Sequence, residues 1–314
     1  MHYKDIRSEY SKIAFYYYKL GLTQDEIAKK MSTSRPRINR ILKKCHEEGI
    51  VRIDIEAIEN QNVELEVQLE DALGLNEIVI AGDKANMDAN SVGNAAASYL
   101  ERVINDNDII GFSKGRALSS FVNALKPVQR NNLIVTQLVG GLNVGEISIN
   151  SDDLVRKSSH ILNATPCYMY APIILESPEL RDSLMKESFY TNIYKTMQSC
   201  NIAIVGIGDM SSYSAFDQRK YIYKTELEAL HKNNAVGEVC THYFDIDGRI
   251  LKTSLDDRVL AIDLNDYQAI PLRIGIAYGS QKLSAILGAI RSKLINVLIT
   301  DLETANNLKS LLIE

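Results

Sequence analysis

From residue 77 onward, short apolar runs alternate with longer segments in which apolar residues recur every three or four positions. The short runs are typical of strands and the longer segments of amphipathic helices. Strands are predicted at 77–82, 108–112, 133–140, 167–172, 201–208, 258–263, 272–279 and 295–300. Helices are predicted at 89–104, 115–125, 150–163, 218–232, 281–292 and 302–312. This order predicts an α/β domain with a mostly parallel sheet that is covered on both faces.

Several of the predicted strands end in loops that contain glycine. In an open α/β sheet, ligands bind beside the carboxyl ends of the strands, so these loops are expected to converge on one site. The most informative loop contains Lys114 and Arg116 and leads from a strand into a helix. Backbone amides at a helix start can hold an anion, although a tight turn with solvated charges would have the same sequence.

Three further charged residues lie at the ends of loops. Lys282 begins a helix, where the helix dipole disfavours a cation, so it is either an ordinary surface charge or the partner of a bound anion. Asp209 and Glu238 could accept hydrogen bonds from sugar hydroxyls, and either could equally be a helix cap or a solvated carboxylate. These residues complete a candidate small-molecule site.

Charge divides the chain into two parts. Residues 1–52 contain twelve basic and six acidic side chains, a net charge of +6, whereas the remainder contains 23 basic and 34 acidic side chains, a net charge of −11. A basic head on an acidic body indicates that only the head meets a polyanion. We predict a DNA-binding domain at 1–55 and an effector-binding and oligomerisation domain at 56–314.

The head has the pattern of a helix-turn-helix with a winged-helix-like form. A packing helix is predicted at 10–20, and Thr23 with Glu26 forms a capping box for a second helix. After the turn "STSR", a third helix is predicted to begin at Ser34, and the run "IVRIDIE" after Gly49 resembles a strand that forms a wing or leads out of the domain. Two short helices joined by a tight turn are typical of DNA-binding proteins.

The third helix separates apolar from basic residues. Ile38, Ile41, Leu42 and Cys45 recur at helical spacing and predict a buried face. The polar and basic residues are therefore expected to face solvent. Those in the first turns of the helix could contact base edges, and the lysines nearer its end could contact phosphates. This predicted DNA-binding set is Arg35, Arg37, Asn39, Arg40, Lys43 and Lys44. A basic amphipathic helix can also be no more than a solvated face.

The remaining composition predicts neither a metal site nor a disulfide framework. The four cysteines are far apart, without a CxxC pair or matching histidines, and are expected to be buried apolar residues. The charged first residues do not resemble a signal peptide, and the apolar runs are shorter than a membrane span. A cytoplasmic protein is therefore expected. The five histidines show no catalytic grouping, so no catalytic residues and no cofactor are predicted.

The chain resembles the SorC family of bacterial sugar-responsive transcriptional regulators along nearly its whole length. The resemblance is carried by "GLTQDEIAKKMSTSRPRINRIL", "IIGFSKGRAL", "LVGGL" and "GIGD", and most specifically by "VGEVCTHYFDIDGRIL" and "IAYGSQKLSAILGAIRSKLINVLITDLETA". It implies a helix-turn-helix that binds double-stranded operator DNA. It also implies an effector domain whose fold is similar to those of ribose-5-phosphate isomerase and glucosamine-6-phosphate deaminase. The resemblance further implies that this domain binds a phosphorylated sugar and assembles as a homo-oligomer, typically a tetramer.

The resemblance also implies roles for individual residues. The loop of Ser113 and Gly115 would hold the effector phosphate with the help of Lys282, and Glu238 would face the sugar. The full predicted effector site is Ser113, Lys114, Gly115, Arg116, Gly140, Gly141, Asp209, Glu238 and Lys282. Family members often carry an aromatic residue at the position of Lys114, a hydroxyl at that of Arg116 and a threonine at that of Ala117. Relative to that pattern, this chain loses two hydroxyl groups and gains two cations.

Two other functions are compatible with the sequence. The first is a sugar-phosphate isomerase or deaminase with a DNA-binding appendage, because a fold does not decide function. No predicted loop offers a convincing pair of catalytic acid and base, which disfavours it. The second is an architectural DNA-binding protein without a ligand, which would leave unexplained why glycine loops should converge at the strand ends. A DNA-binding regulator of a carbohydrate-metabolism operon, controlled by a phosphorylated sugar, is the function that we predict.

Overall fold

The computed structural model describes residues 3–53, 62–82, 89–141, 150–210 and 221–313. Its contacts divide the chain into two compact units, Met1–Glu59 and Asn60–Glu314, which we call the head and the body. Each unit has its own hydrophobic core, as an independently folding domain does.

The head is a bundle of three helices, α1 (Tyr3–Ala14), α2 (Gln24–Lys30) and α3 (Arg35–Glu47). A π-helical turn at Phe15–Lys19 continues α1 to the left-handed Gly21, so the packing helix predicted at 10–20 begins earlier than expected. The predicted capping box of α2 is confirmed, because the Thr23 hydroxyl accepts from the Glu26 amide and the Glu26 carboxylate accepts from the Thr23 amide.

The core of the head follows the predicted pattern of α3. Ile38, Ile41, Leu42 and Cys45 are all buried, and they pack with apolar residues of α1 and α2. Ser34 occupies the predicted N-cap position but makes no side-chain capping bond. Residues 51–53 form no strand, and the rest of the predicted wing, from 54 onward, lies outside the described residues.

The described residues of the body form a parallel sheet of seven strands in the order β1-β11-β10-β5-β2-β3-β4. These strands are Glu77–Ala81 (β1), Ile109–Phe112 (β2), Ile134–Gln137 (β3), Thr165–Cys167 (β4), Ile202–Gly206 (β5), Leu272–Ile276 (β10) and Val297–Asp301 (β11). Every pairing in this sheet is parallel.

Helices connect these strands and cover the sheet. They are Val63–Leu73 (α4), Ala89–Val103 (α5), Arg116–Ala124 (α6), Ser151–Ile161 (α7), Pro178–Lys186 (α8), Ser188–Gln198 (α9), Lys224–Lys232 (α10), Leu264–Ala269 (α11), Leu283–Arg291 (α12) and Leu302–Ile313 (α13). Alternate residues of β5 enter opposite cores, with Ile202 and Ile204 on one face and Ala203 and Val205 on the other. The predicted α/β fold with two covered faces is confirmed.

A second, antiparallel sheet accompanies the first and was not predicted. Its strands are Gly208–Asp209 (β6), Gly237–Val239 (β7), His242–Phe244 (β8) and Ile250–Leu251 (β9), in sequential order. Strands of two or three residues are too short to produce a readable alternation of apolar and polar residues. The helices α8, α9 and α11 were also missed.

The strand predicted at 258–263 is wrong, although the segment is buried. Its backbone bonds alternate between two partners, because Leu260 donates to Ile173 whereas Ile262 donates to Leu138. Only isolated bridges result, at Val259 and Ala261, beside a 3₁₀ turn at Asp256–Arg258. A buried apolar run looks the same in sequence whether it pairs with one strand or with several segments. Of the helix predicted at 218–232, residues 218–220 lie outside the described residues, 221–223 are not helical, and α10 begins at Lys224.

Candidate functional site

The carboxyl ends of three adjacent strands, β2, β5 and β10, position most of the candidate effector residues. Neighbouring strands in the sheet are β10 with β5 and β5 with β2. Lys114 follows β2, Asp209 follows β5 and Lys282 follows β10, so these side chains leave the same edge of the sheet. This edge is where open α/β sheets bind ligands.

Lys114 and Glu238 form an ion pair at this edge. The Lys114 ammonium lies 3.3 Å from Glu238 Oε1, and the two side chains are 13% and 16% exposed. The pair joins the loop after β2 to strand β7 of the small sheet. Two charges so removed from water attract each other strongly, and removing one would leave the other buried without its partner.

A strained turn fixes the other oxygen of Glu238. Strands β7 and β8 are joined by the two-residue turn Cys240–Thr241, in which both residues have positive φ, 51° and 69°. This is the backbone of a type I′ turn, which asparagine and glycine normally favour. The Thr241 amide donates to Glu238 Oε2 at 2.8 Å. A β-branched residue at positive φ is unusual and is often found near functional sites.

Lys282 lies within the influence of the same acidic groups. Its ammonium donates to the Ile207 carbonyl at 2.7 Å. Burial lowers the pKa of Lys282, while the negative charges of Asp209 and Glu238 oppose that shift and Arg116 adds to it. The carboxylate of Asp209 is itself buried. Lys282 therefore feels the charges of Asp209, Glu238 and Arg116, and with the pair of Lys114 and Glu238 these residues form one charged cluster.

The loop that begins α6 contains a glycine with an unusual backbone conformation. Gly115 has φ 127°, a conformation that side chains rarely adopt, and it provides no side-chain cap for α6. The first amides of α6 have no intrahelical acceptors and can therefore face an anion. The Ser113 hydroxyl, however, accepts from the Gly206 amide at 3.1 Å, so it also ties β2 to β5.

The structure places Gly140 and Gly141 beyond the end of β3 and uses their amides in the backbone. Gly140 donates to the Leu260 carbonyl and Gly141 to the Ala171 carbonyl, both at 2.9 Å. A Cβ at Gly140 would lie 2.7 Å from the backbone of Ile173. In this arrangement Gly140 allows two segments to approach closely, and the amides of both glycines are not available to a ligand.

The predicted DNA-binding residues of the head share the solvent-facing surface of α3. All six of Arg35, Arg37, Asn39, Arg40, Lys43 and Lys44 are exposed. Two of them pair with acidic residues that were not singled out in the sequence. Arg37 donates to Glu9 of α1 at 2.9 Å, and Arg35 lies 3.8 Å from Asp25 of α2. No local sequence signal predicts such contacts, since they depend on how the helices pack.

Among the described residues, no group of histidine, cysteine, aspartate or glutamate has the arrangement of a metal site. The four cysteines are free, and Cys45, Cys200 and Cys240 are buried as predicted, while Cys167 is half-buried. In the described part of the chain, none of the helices combines the length and the apolar character needed to cross a bilayer.

A basic helix-turn-helix head and a parallel α/β body with a charged cluster at its carboxyl edge define a ligand-responsive DNA-binding protein. Comparisons with known proteins agree with this class. The family described as "Putative sugar-binding domain" matches residues 59–309, and a winged helix-turn-helix DNA-binding family matches residues 21–52. The chain belongs to the SorC family of sugar-binding transcriptional regulators.

Individual relatives cover nearly the whole chain. The sorbitol operon regulator of Klebsiella pneumoniae is 30% identical over 306 residues, which cover 94% of this chain and 95% of that protein. The deoxyribonucleoside regulator of Bacillus subtilis is 28% identical, over 93% and 94% of the two chains. The crystal structure of the full-length Klebsiella regulator SorC superposes with a TM-score of 0.75 and 31% identity, over 96% and 98% of the chains.

These relatives confirm the predicted class. The chain is a transcriptional regulator with a DNA-binding head and a sugar-binding body, and it is not an enzyme. The predicted resemblance to the SorC family and the predicted fold class are confirmed as well.

Proposed function

We propose that this regulator senses a phosphorylated sugar through the charged cluster at the carboxyl edge of β2, β5 and β10. The observation that carries the proposal is the ion pair of Lys114 with Glu238, beside the largely buried Lys282, which feels the charges of Asp209, Glu238 and Arg116. A phosphate needs cations and backbone amides, whereas sugar hydroxyls need carboxylate acceptors. Both sets of groups meet at this site.

The proposed division of roles follows the geometry. The amides that begin α6, after Gly115, would receive the phosphate, with Arg116 and Lys282 as its cations. Glu238 and Asp209 would accept from the hydroxyls of the sugar. An incoming phosphate also relieves the cost of the Lys282 charge, which burial disfavours. Gly140 and Gly141 would shape the wall of the site through packing.

The effector would act by linkage between the two domains. A ligand that binds one arrangement of the oligomer more tightly than the other shifts the population toward the preferred arrangement. The difference between its two affinities sets how far the population of DNA-binding molecules can shift. We include in the proposal a homotetramer in the cytoplasm, whose paired heads read half-sites about one or more helical turns apart. The head would use Arg35, Arg37, Asn39 and Arg40 for base edges and Lys43 and Lys44 for phosphates.

A thermal-shift screen tests the effector directly, because a ligand that binds only the folded form raises its melting temperature. The panel pairs each sugar with its phosphorylated form, and inorganic phosphate is included. We expect a rise with at least one sugar phosphate, a smaller rise with phosphate alone and none with the matching free sugar. An equal rise with a free sugar and its phosphate would contradict the phosphate role. Turnover of any sugar phosphate would revive the enzyme hypothesis.

A further inference from the structure

The contact between Arg37 and Glu9 links the exposed surface of α3 to α1. The Arg37 Nη2 donates to Glu9 Oε1 at 2.9 Å, within the range of a charge-assisted hydrogen bond. The Glu9 side chain is 26% exposed, and that of Arg37 is 53% exposed. The carboxylate is therefore more enclosed by its surroundings than the guanidinium that it binds.

The head contains a second pair that serves as an internal comparison. Arg35 and Asp25 are 3.8 Å apart, too far for a hydrogen bond, and both side chains are 65% exposed. Pairs of this kind contribute little and fix no geometry. The two arginines lie two residues apart at the start of the same helix, yet only Arg37 is hydrogen-bonded to its carboxylate.

We propose that Glu9 is a positioning residue that commits Arg37 to reading a base instead of neutralising a phosphate. A guanidinium has five N–H donors, and Glu9 takes one of them, which leaves enough for a bidentate contact with guanine O6 and N7. An arginine already held in place loses less conformational freedom when it binds the correct base. This inference rests on the proposed contact of α3 with DNA bases.

Glu9 has a second effect on DNA of the wrong sequence. Its negative charge beside Arg37 cancels most of the attraction of that arginine for the phosphates of any duplex. The affinity for nonspecific DNA depends on the number of phosphates that the protein neutralises. By pairing with Arg37, Glu9 reduces that number by one. Glu9 therefore raises the affinity for the specific site and lowers the affinity for nonspecific DNA. Both changes increase the ratio of the two affinities.

The experiment compares two duplexes of equal length in the absence of sugars. The first is a 40-base-pair duplex enriched from a random pool by the unmodified full-length chain, and the second is a mixed-sequence duplex. Binding of each is measured across a series of salt concentrations for the original chain and for Glu9→Gln. Thermal melting of the free proteins verifies that both are folded.

We expect Glu9→Gln to reduce the ratio of affinities for the enriched and mixed duplexes by about three- to tenfold, part of the value of one bidentate base contact. On the mixed duplex, the log-log salt slope should steepen by about 0.9, as for one additional phosphate contact. A structural role for Glu9 would lower both affinities together and would not steepen the slope.

A double-mutant cycle and a matched control complete the test. In an Arg37→Ala background, Glu9→Gln should leave the affinity ratio unchanged, because the group that it positions is absent. Asp25→Asn, which removes the carboxylate near Arg35, should change the ratio by less than about twofold. An equal change on both duplexes, or the same loss of ratio in the Arg37→Ala background, would overturn the inference. If the original chain enriches no sequence, the proposed base reading by α3 fails instead.

Discussion

The ammonium of Lys114 and the carboxylate of Glu238 meet at 3.3 Å and join the loop after β2 to the small antiparallel sheet. Glu238 is held on its other side by the Thr241 amide. Each charge therefore depends on a partner from another part of the body.

Removing the cation of this pair should destabilise the body. Lys114→Ala leaves the Glu238 carboxylate largely buried without its nearest cation, and we expect a loss of about 1–3 kcal/mol in the free energy of unfolding. A second change, Glu238→Gln, should restore part of it. Urea unfolding of the single and the double variant measures the loss of stability and its partial recovery. Lys224→Ala is the control, since its pair with Glu228 is 3.7 Å long and mostly exposed. An equal loss in the control would contradict the role of burial.

The effector response should depend on Arg116 and Lys282. We expect Arg116→Ala with Lys282→Ala to bind operator DNA normally and to lose the response to the best sugar phosphate of the thermal-shift panel. Gel-shift titrations with and without that ligand measure the response. Lys126→Ala with Lys293→Ala is a matched control, because these exposed lysines follow the opposite ends of α6 and α12. A double variant that still responds would rule out the proposed phosphate site.

Two neighbouring glycines should differ sharply in their tolerance of a methyl group. The Cβ of Gly140→Ala would lie 2.7 Å from the backbone of Ile173, which cannot move freely, so we expect a cost of about 1–3 kcal/mol. Gly141→Ala meets only the Ala171 carbonyl at 3.8 Å and should change stability by less than about 0.5 kcal/mol. Urea unfolding compares the two. Similar losses would show that the close approach at Gly140 is not tight in solution.

Stability should fall in mildly acidic solution because of His242. Burial lowers the pKa of this ring, whose Nε2 contacts the Ile262 carbonyl at 3.0 Å, and nearby Asp256, Glu238 and Asp263 only partly oppose the shift. In the unfolded chain, the ring of His242 has a pKa of about 6.5 and takes up a proton below that pH. In the folded protein, the ring takes up its proton only at a lower pH. Between these two pH values, proton binding favours the unfolded chain. Stability is therefore lost as the pH falls through that window.

The measurement for His242 is urea unfolding across a pH series for the original chain and two variants. His242→Gln should show a shallower loss of stability below the pKa of free histidine, since no ring is left to titrate. The exposed His231 provides the matched change, and His231→Gln should retain the full pH dependence of the original chain. Identical slopes for all three proteins would show that His242 does not cause the loss.

The regular parts of both units could be predicted because their signals are local. The Thr23 capping box and the buried stripe of Ile38, Ile41 and Leu42 depend on residues three or four positions apart. The long strands of the parallel sheet are buried apolar runs between helical segments, so their order along the chain also indicated the fold class. Such signals do not require knowledge of distant contacts.

The details of the sites could not be predicted, since they come from contacts between distant segments. Lys114 and Glu238 were both named as candidates, but nothing in the sequence indicates that they pair with each other. The turn at Cys240–Thr241 has none of the usual glycine or asparagine signals, and the partnership of Glu9 with Arg37 depends on the packing of α1 against α3. The bridges at 258–263 were misread for the same reason.

Strand β1 lies at the edge of the parallel sheet and pairs there with β11, about 220 residues later in the chain. A ribosome that adds about 5–20 residues per second needs roughly 10 to 40 s to cover that interval. The head is made first and consists of local helices, so it can fold while the sheet is still open. A nascent or prematurely terminated chain would thus carry a DNA-binding domain before it has any means of sensing a sugar.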